Sequence, residues 1–188
     1  EFHSIAEIKD FLSETDIEST VIGYFDLETN AEDKRIFDET HRIGQYRYRF
    51  GFTTNKDVLR EMKYSGAALV VYRPSKFVVD KYEKAKSRFP GKTLKSSGSL
   101  IKWIEEKAIP LVGLKKLGTA GKYDDLNYPQ LTLFTDVDLE RNVKQFQYYA
   151  NRLRKIAKDK ISKMSFNIAD RKEFAPLIGK YGIGESDK

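Results

Sequence analysis

The side chains that could make or break bonds are few and poorly placed for it. The chain contains no cysteine, which excludes thiol nucleophiles, disulfides and thiolate metal sites. Its two histidines, His3 and His41, lie far apart and give no zinc-ligand spacing. A Ser-His-Asp arrangement would have to use the terminal His3, or His41 between Glu39 and Arg42 in a charged stretch, and both read better as surface histidines. The pairs Asp124-Asp125 and Asp136/Asp138 read as turn and helix-start residues rather than as an acid-base dyad. No catalytic, cofactor-binding or metal-binding residue is assigned.

Nucleotide and RNA motifs are present only in outline. Gly113 to Thr119 has the glycine spacing of a phosphate loop but puts Thr119 where lysine is required, and Gly182-Ile183-Gly184 has no helix after it. The run Arg47-Tyr48-Arg49-Phe50-Gly51-Phe52 looks like an RNA-stacking strand, yet the basic-glycine pair would fall on Tyr48-Arg49 and the closing aromatic on Asn55. An alternating strand with one buried face accounts for it. No Asn-x-Ser/Thr acceptor occurs.

Two constellations are suited to binding. From Arg141 to Lys163, eight basic residues (Arg141, Lys144, Arg152, Arg154, Lys155, Lys158, Lys160 and Lys163) face one acid, Asp159. An apolar stripe of Val143, Phe146, Ala150, Leu153 and Ala157 turns Lys144, Tyr148, Arg152 and Lys155 to solvent on one helix face. That face is either an acidic-partner site or an ordinary solvated surface. The other constellation is apolar: Tyr123 and Leu126, with Phe174, Leu177, Ile178 and Tyr181, which at helical spacing form either core or cleft.

The elements that must position these residues follow from patterning. With 188 residues and 40% hydrophobic content, the chain can bury one large core or two small ones. In the first half, a helix on Ile5, Ile8, Phe11 and Leu12 precedes a strand Ser19 to Phe25, a helix Ala31 to Ile43 capped by Asn30, and a strand Tyr46 to Thr53. A short helix Lys56 to Tyr64, a strand Ala67 to Tyr72, a hairpin strand Lys76 to Tyr82 and a helix Ser99 to Lys107 complete it. After Pro110 come a strand Leu111 to Leu114, a helical stretch Gly118 to Leu126, a strand Gln130 to Thr135, a helix Leu139 to Lys160, a strand Met164 to Ala169 and a helix Lys172 to Tyr181. The alternation implies an α/β fold with a central mixed sheet flanked by helices.

Charge and hydropathy narrow the partners. The net charge is +6 and the pI about 9.2; residues 1–109 hold 19 basic and 18 acidic groups, and residues 110–188 hold 15 and 10. An acidic partner must therefore be considered, and a nucleic-acid-binding module is supported by pI alone. No run of 18 apolar residues is present for a transmembrane helix. Glu1-Phe2-His3-Ser4 lacks a signal-peptide pattern and an initiator Met, so the start reads as the edge of a segment of a longer protein.

Four stretches carry a family resemblance: Ser19 to Asp26 (STVIGYFD), Ala68 to Ser75 (ALVVYRPS), Asp136 to Asn142 (DVDLERN) and Ser165 to Phe174 (SFNIADRKEF). They resemble the tandem b and b′ domains of the endoplasmic-reticulum protein disulfide isomerases, chiefly the member with three catalytic domains and the glycoprotein-specific member that works beside calnexin and calreticulin. The resemblance implies tandem thioredoxin-like domains of βαβαβαββα order: a b domain over 1–109, and a b′ domain over 110–188 truncated before its hairpin and last helix, with an exposed edge at Gln130 to Thr135. Catalytic siblings carry CxxC where a long helix follows its strand, since the helix N-terminus stabilises thiolate. Here Asp26-Leu27-Glu28-Thr29-Asn30 and Thr135-Asp136-Val137-Asp138 stand in those places, and Ala67 stands where a cis-proline would be.

The implied role is a non-catalytic spacer that binds clients or co-chaperones in the endoplasmic-reticulum lumen, between flanking catalytic domains that carry disulfide exchange. The resemblance makes Tyr123, Leu126, Phe174, Leu177, Ile178 and Tyr181 candidates for binding unfolded polypeptide. It makes Lys144, Tyr148, Arg152 and Lys155 candidates for the acidic arm of calnexin or calreticulin, although Ala150 replaces a further basic residue of that patch. No cofactor, nucleic-acid partner or membrane is expected, and an intact redox enzyme is contradicted by the lack of cysteine.

Overall fold

A computed structural model describes residues 1–15, 17–136, 138–139 and 141–183, and divides the chain into two compact units, Glu1–Pro110 and Leu111–Lys188. In the first unit the order is α1 (Ile5–Ser13), β1 (Thr20–Tyr24), α2 (Leu27–Gly44), β2 (Arg49–Thr53), α3 (Lys56–Glu61), β3 (Ala68–Tyr72), β4 (Lys86–Arg88) and α4 (Ser97–Ala108). The sheet runs β2-β1-β3-β4, with β1 and β2 parallel and the other two pairings antiparallel.

Every residue of β1 is buried, so both faces of the strand require cover. Val21 points into a layer with Phe25, Phe37, Leu69, Val71, Leu100 and Ile104; Ile22 and Tyr24 point into the other, with Ile8, Val58, Leu59 and Val70. The helices start where short polar side chains satisfy their first amides. Ser4 Oγ accepts from Glu7 N at 3.2 Å, Asn55 Oδ1 from Asp57 N at 2.9 Å, and Ser96 Oγ from Ser99 N at 3.2 Å. Inside the first layer, the buried Asp33 carboxylate accepts from Asn30 Nδ2 at 3.2 Å and from the amide of Leu94, which ties α2 to the segment before α4.

The second unit has β5 (Gly113–Lys115), a 3₁₀ turn at Leu117–Thr119, α5 (Gly121–Asp124), β6 (Gln130–Thr135), α6 (Val143–Ala157) with a 3₁₀ turn at Lys158–Lys160, β7 (Ser165–Asp170) and α7 (Ala175–Lys180). Its three strands are parallel in the order β5-β7-β6, so β6 is an outer strand. Phe146 and Ala150 of α6 and Phe166 and Ile168 of β7 are buried. Ala169 faces the other way, onto Phe174 and Ile178.

Several expectations are corrected. Lys76 to Tyr82 is not the hairpin strand: it forms turns, and β3 pairs instead with Lys86–Arg88. Arg73 enforces this pairing, because its amide donates to Ala85 O at 2.8 Å while its guanidinium donates to Lys84 O at 2.7 Å and Ser87 Oγ at 3.0 Å. The helix expected from Asn30 starts at Leu27 and is capped by Asp26, with Asn30 a non-helical kink inside it. The long helix expected from Leu139 begins at Val143, capped by Asn142, and Leu139 is buried ahead of it. No strand precedes β1 among the described residues; Phe2 makes one backbone bond to Phe52 O at 2.8 Å. Gly184 and Val137, parts of two motifs considered above, lie outside the described residues.

The Tyr24 and Tyr72 hydroxyls hydrogen-bond at 3.0 Å in the second layer, and burial first, then the neighbouring tyrosine, pushes the Tyr24 phenol well above its usual value. Tyr72 is raised too, chiefly by burial. A phenol whose folded pKa is raised contributes stability that is intact below the unfolded value, about 10, and is lost as pH climbs beyond it. Thermal unfolding followed across alkaline pH is expected to show a falling Tm above about pH 10, with a shallower fall in Tyr24→Phe.

Candidate functional site

β6 alternates its side chains, so Gln130, Thr132 and Phe134 share the sheet face on which α5 and α7 lie. Between those helices and this face is a cavity of about 790 Å³. Its apolar wall is formed by Phe134, Phe174, Leu177 and Tyr181 with Leu117, Ala120 and Pro176, and its polar end by Lys115, Asp124 and Gln130. Phe134 and Phe174 pack with ring centroids 6.1 Å apart. Leu117 and Tyr181 are 61% and 66% exposed, a large apolar surface at the mouth.

The polar end is ordered. Lys115 Nζ donates to Gln130 Oε1 at 2.7 Å and lies 3.7 Å from Asp124 Oδ1, which also accepts from Gln130 Nε2 at 2.7 Å. Glu173 Oε1 accepts from the amide of Leu117 at 2.7 Å, joining the 3₁₀ turn to the segment before α7. Asn167, opposite Thr132 and Gly113 in the ladder, is fully buried, and neither end of its amide meets a hydrogen-bond partner among the described residues.

Of the six apolar candidates, Phe174, Leu177 and Tyr181 line the cavity. Tyr123, Leu126 and Ile178 do not. Tyr123 is buried with its ring over Gly113 and its hydroxyl donating to Leu114 O at 3.3 Å, and burial raises its phenol pKa. Ile178 is core beside Ala169, and Leu126 is half-buried outside the lining. Sequence spacing missed Lys115, Gln130, Thr132 and Phe134, whose convergence depends on the strand order. Only the alternation in Gln130 to Thr135 signalled part of it.

The basic candidates lie apart from this cavity. Lys144, Tyr148, Arg152 and Lys155 are all exposed on α6. The Arg152 guanidinium lies 3.6 Å over the Tyr148 ring and donates to Tyr148 O at 3.0 Å, while Tyr148 meets Tyr149 edge-on at 5.2 Å. Arg154 is corrected: it is fully buried and donates to Gln147 Oε1 at 2.6 Å and Asn151 Oδ1 at 2.9 Å, so it adds nothing to the basic face. It follows Phe146 and Ala150 at helical spacing, on the inward stripe. Ala150 is likewise fully buried.

Where a catalytic sibling would present its thiol, Asp26 accepts from Glu28 N at 3.1 Å and caps α2. The second such position runs through Val137, outside the described residues; beyond it Asp138 accepts from Arg141 N at 3.0 Å. Phe50 and Phe52 of the RNA-like run pack on the core around Phe37. His41 lies against Phe50, and the amide of His3 donates to Glu7 Oε2 at 2.8 Å.

A family model described as thioredoxin-like domain matches residues 27–188. Protein disulfide-isomerase A3 of Gallus gallus is 27% identical over 97% of this chain and 35% of its own length, and protein disulfide-isomerase A4 of Bos taurus is 25% identical over 97% and 28%. The chain thus spans about a third of the length of these relatives. Among solved structures, the bb fragment of ERp72 superposes with a TM-score of 0.79 at 22% identity, covering 98% of this chain and 79% of that one. A match over most of the chain, with sheets layered by helices, places the chain in the thioredoxin-like domain family, and its similarity to protein disulfide isomerases runs along nearly its whole length.

Proposed function

We propose that this chain is a non-catalytic region of a protein disulfide isomerase that spaces catalytic domains and holds unfolded polypeptide clients during oxidative folding in the endoplasmic-reticulum lumen. The first unit is read as the b domain, over 1–109, and the second as the opening part of the b′ domain, from 110. Thiol exchange belongs to the flanking domains, because no residue here can replace sulfur. The observation that carries the client-binding reading is the cavity on the β6 face. Its exposed mouth residues Leu117 and Tyr181 and its aromatic wall fit apolar side chains of an extended segment, and the Lys115–Gln130–Asp124 cluster fits backbone polar groups.

A second reading rests on the α6 surface. Arg152 is held over Tyr148, and Lys144 and Lys155 are exposed on the same helix, an arrangement that fits an acidic arm such as that of calnexin or calreticulin.

The two readings separate in an NMR titration of the chain with an unfolded apolar peptide and, independently, with the acidic arm of calreticulin. Client binding is expected to shift Phe134, Phe174, Leu177 and Tyr181 with the apolar peptide. Shifts confined to Lys144, Arg152 and Lys155 with the acidic arm, abolished by salt, would replace it with the docking reading. Silence with both ligands leaves a spacer.

Mutations divide the wall into framework and contact surface. Phe174→Ala removes a buried ring and is expected to lower stability by about 3 kcal/mol. Tyr181→Ala should change stability by no more than about 0.5 kcal/mol. The same variant should weaken the apolar peptide roughly tenfold, about 1.4 kcal/mol, by calorimetry; unchanged affinity would count against the cavity as the client site.

A further inference from the structure

The near-neutral charge of the first unit hides a local excess. Between Lys81 and Lys95 stand six cations, Lys81, Lys84, Lys86, Arg88, Lys92 and Lys95, against one acid, Glu83. Glu83 is engaged in a largely buried pair with Arg73, 3.7 Å from its Nε. Within this segment lies β4, one of the two outer strands of the four-stranded sheet. Lys86 and Arg88 point to one side of it, and Lys84 continues their row; all three are exposed.

The backbone of β4 has an open side. Ala85 O accepts from Arg73 N and Phe89 N donates to Leu69 O, both at 2.8 Å, so odd-numbered residues bond inward. In an antiparallel ladder the amide and carbonyl of alternate residues then face outward, and here these belong to Lys86 and Arg88. A cavity of about 620 Å³ wraps this edge. On one side Arg88 lies 4.8 Å over the Tyr64 ring. On the other are Trp103, edge-on to Phe89 at 5.2 Å, and Lys107, 3.9 Å from Glu106. No carboxylate is in the cavity lining among the described residues.

We propose that the β4 edge is a docking strand for an extended acidic polypeptide segment. The segment adds to the sheet beside β4, sets carboxylates at alternate positions against Lys84, Lys86 and Arg88, and lays its opposite side chains on Trp103. Side chains on one face of a strand recur about every 6.6 Å, so an acidic residue at every second position matches the cationic row in register. The outward carbonyls of Lys86 and Arg88 can accept from peptide amides, which a phosphodiester backbone does not supply. A second copy of β4 would set like charges opposite each other, a destabilising arrangement. Edge lysines also guard against such self-pairing, but guarding alone does not call for aromatic walls on both sides of the strand.

Trp103 is the only tryptophan in the chain and lines the cavity, so its emission reports occupancy. The 188-residue chain is titrated with a capped peptide alternating glutamate and valine, with the same peptide N-methylated at alternate amides, and with single-stranded DNA. The proposal expects a saturable change in Trp103 emission with the first peptide, weakened about tenfold or more by N-methylation and weakened by salt. The triple variant Lys84→Glu, Lys86→Glu, Arg88→Glu, with circular dichroism unchanged, is expected to abolish it. Equal binding of the methylated peptide would overturn strand addition, and tighter binding of the DNA would make the edge a nucleic-acid surface. No change in emission with any ligand would reduce the lysines to guards against self-pairing. The peptide comparison uses the unmodified chain and therefore decides the matter even if the triple variant does not fold.

Discussion

A strand buried on both faces is the constraint from which both units are built. β1 exposes none of its residues, and Ser165–Ala169 of β7 are buried throughout. A two-layer arrangement would leave Val21 or the pair Ile22 and Tyr24 of β1 facing water, and in β7 either Phe166 and Ile168 or Ala169. Helices must therefore cover each sheet on both sides. The layers meet closely enough to dictate residue size: a Cβ at Gly23 would run into the Phe25 ring, and one at Gly113 into the Tyr123 hydroxyl.

The helix that follows the central strand keeps its start satisfied without a thiol. The first turn of a helix carries unsatisfied amides and a partial positive charge, which in a thiol-bearing relative favours thiolate. In this chain Asp26 takes that place and accepts from Glu28 N. The electrostatic feature that supports redox chemistry elsewhere here stabilises a helix end. No thiol stands at this strand end, and the Asp26 side chain is engaged in the helix cap.

How much of this was legible depends on how far each signal reaches along the chain. β1 and β6 could be read almost residue for residue, because an apolar run and an apolar-polar alternation are local patterns. The hairpin strand was misplaced because Phe77, Val78 and Val79 have strong β-propensity, whereas the actual pairing is fixed by bonds from Arg73 to Lys84, Ala85 and Ser87. Arg154 was misread because a hydrophobicity pattern scores arginine as surface; its burial rests on hydrogen bonds to Gln147 and Asn151, which no periodicity encodes. The polar end of the cavity was invisible for a related reason. Lys115 and Gln130 stand on strands that β7 separates, and their contact reaches across it, which no local pattern encodes.

The outer strands β4 and β6, one from each sheet, carry different chemistry. β4 is three residues long and flanked by lysines, which is how an edge is protected from casual pairing. β6 is six residues long and its sequence, Gln-Leu-Thr-Leu-Phe-Thr, holds no charge at all. An uncharged edge of that length leaves a row of amides and carbonyls open to pairing with another strand. Thr132 and Phe134 belong both to this edge and to the cavity lining, so a strand paired with β6 would also border the cavity. Pairing at that edge would therefore close the sheet and reshape the cavity through the same contact.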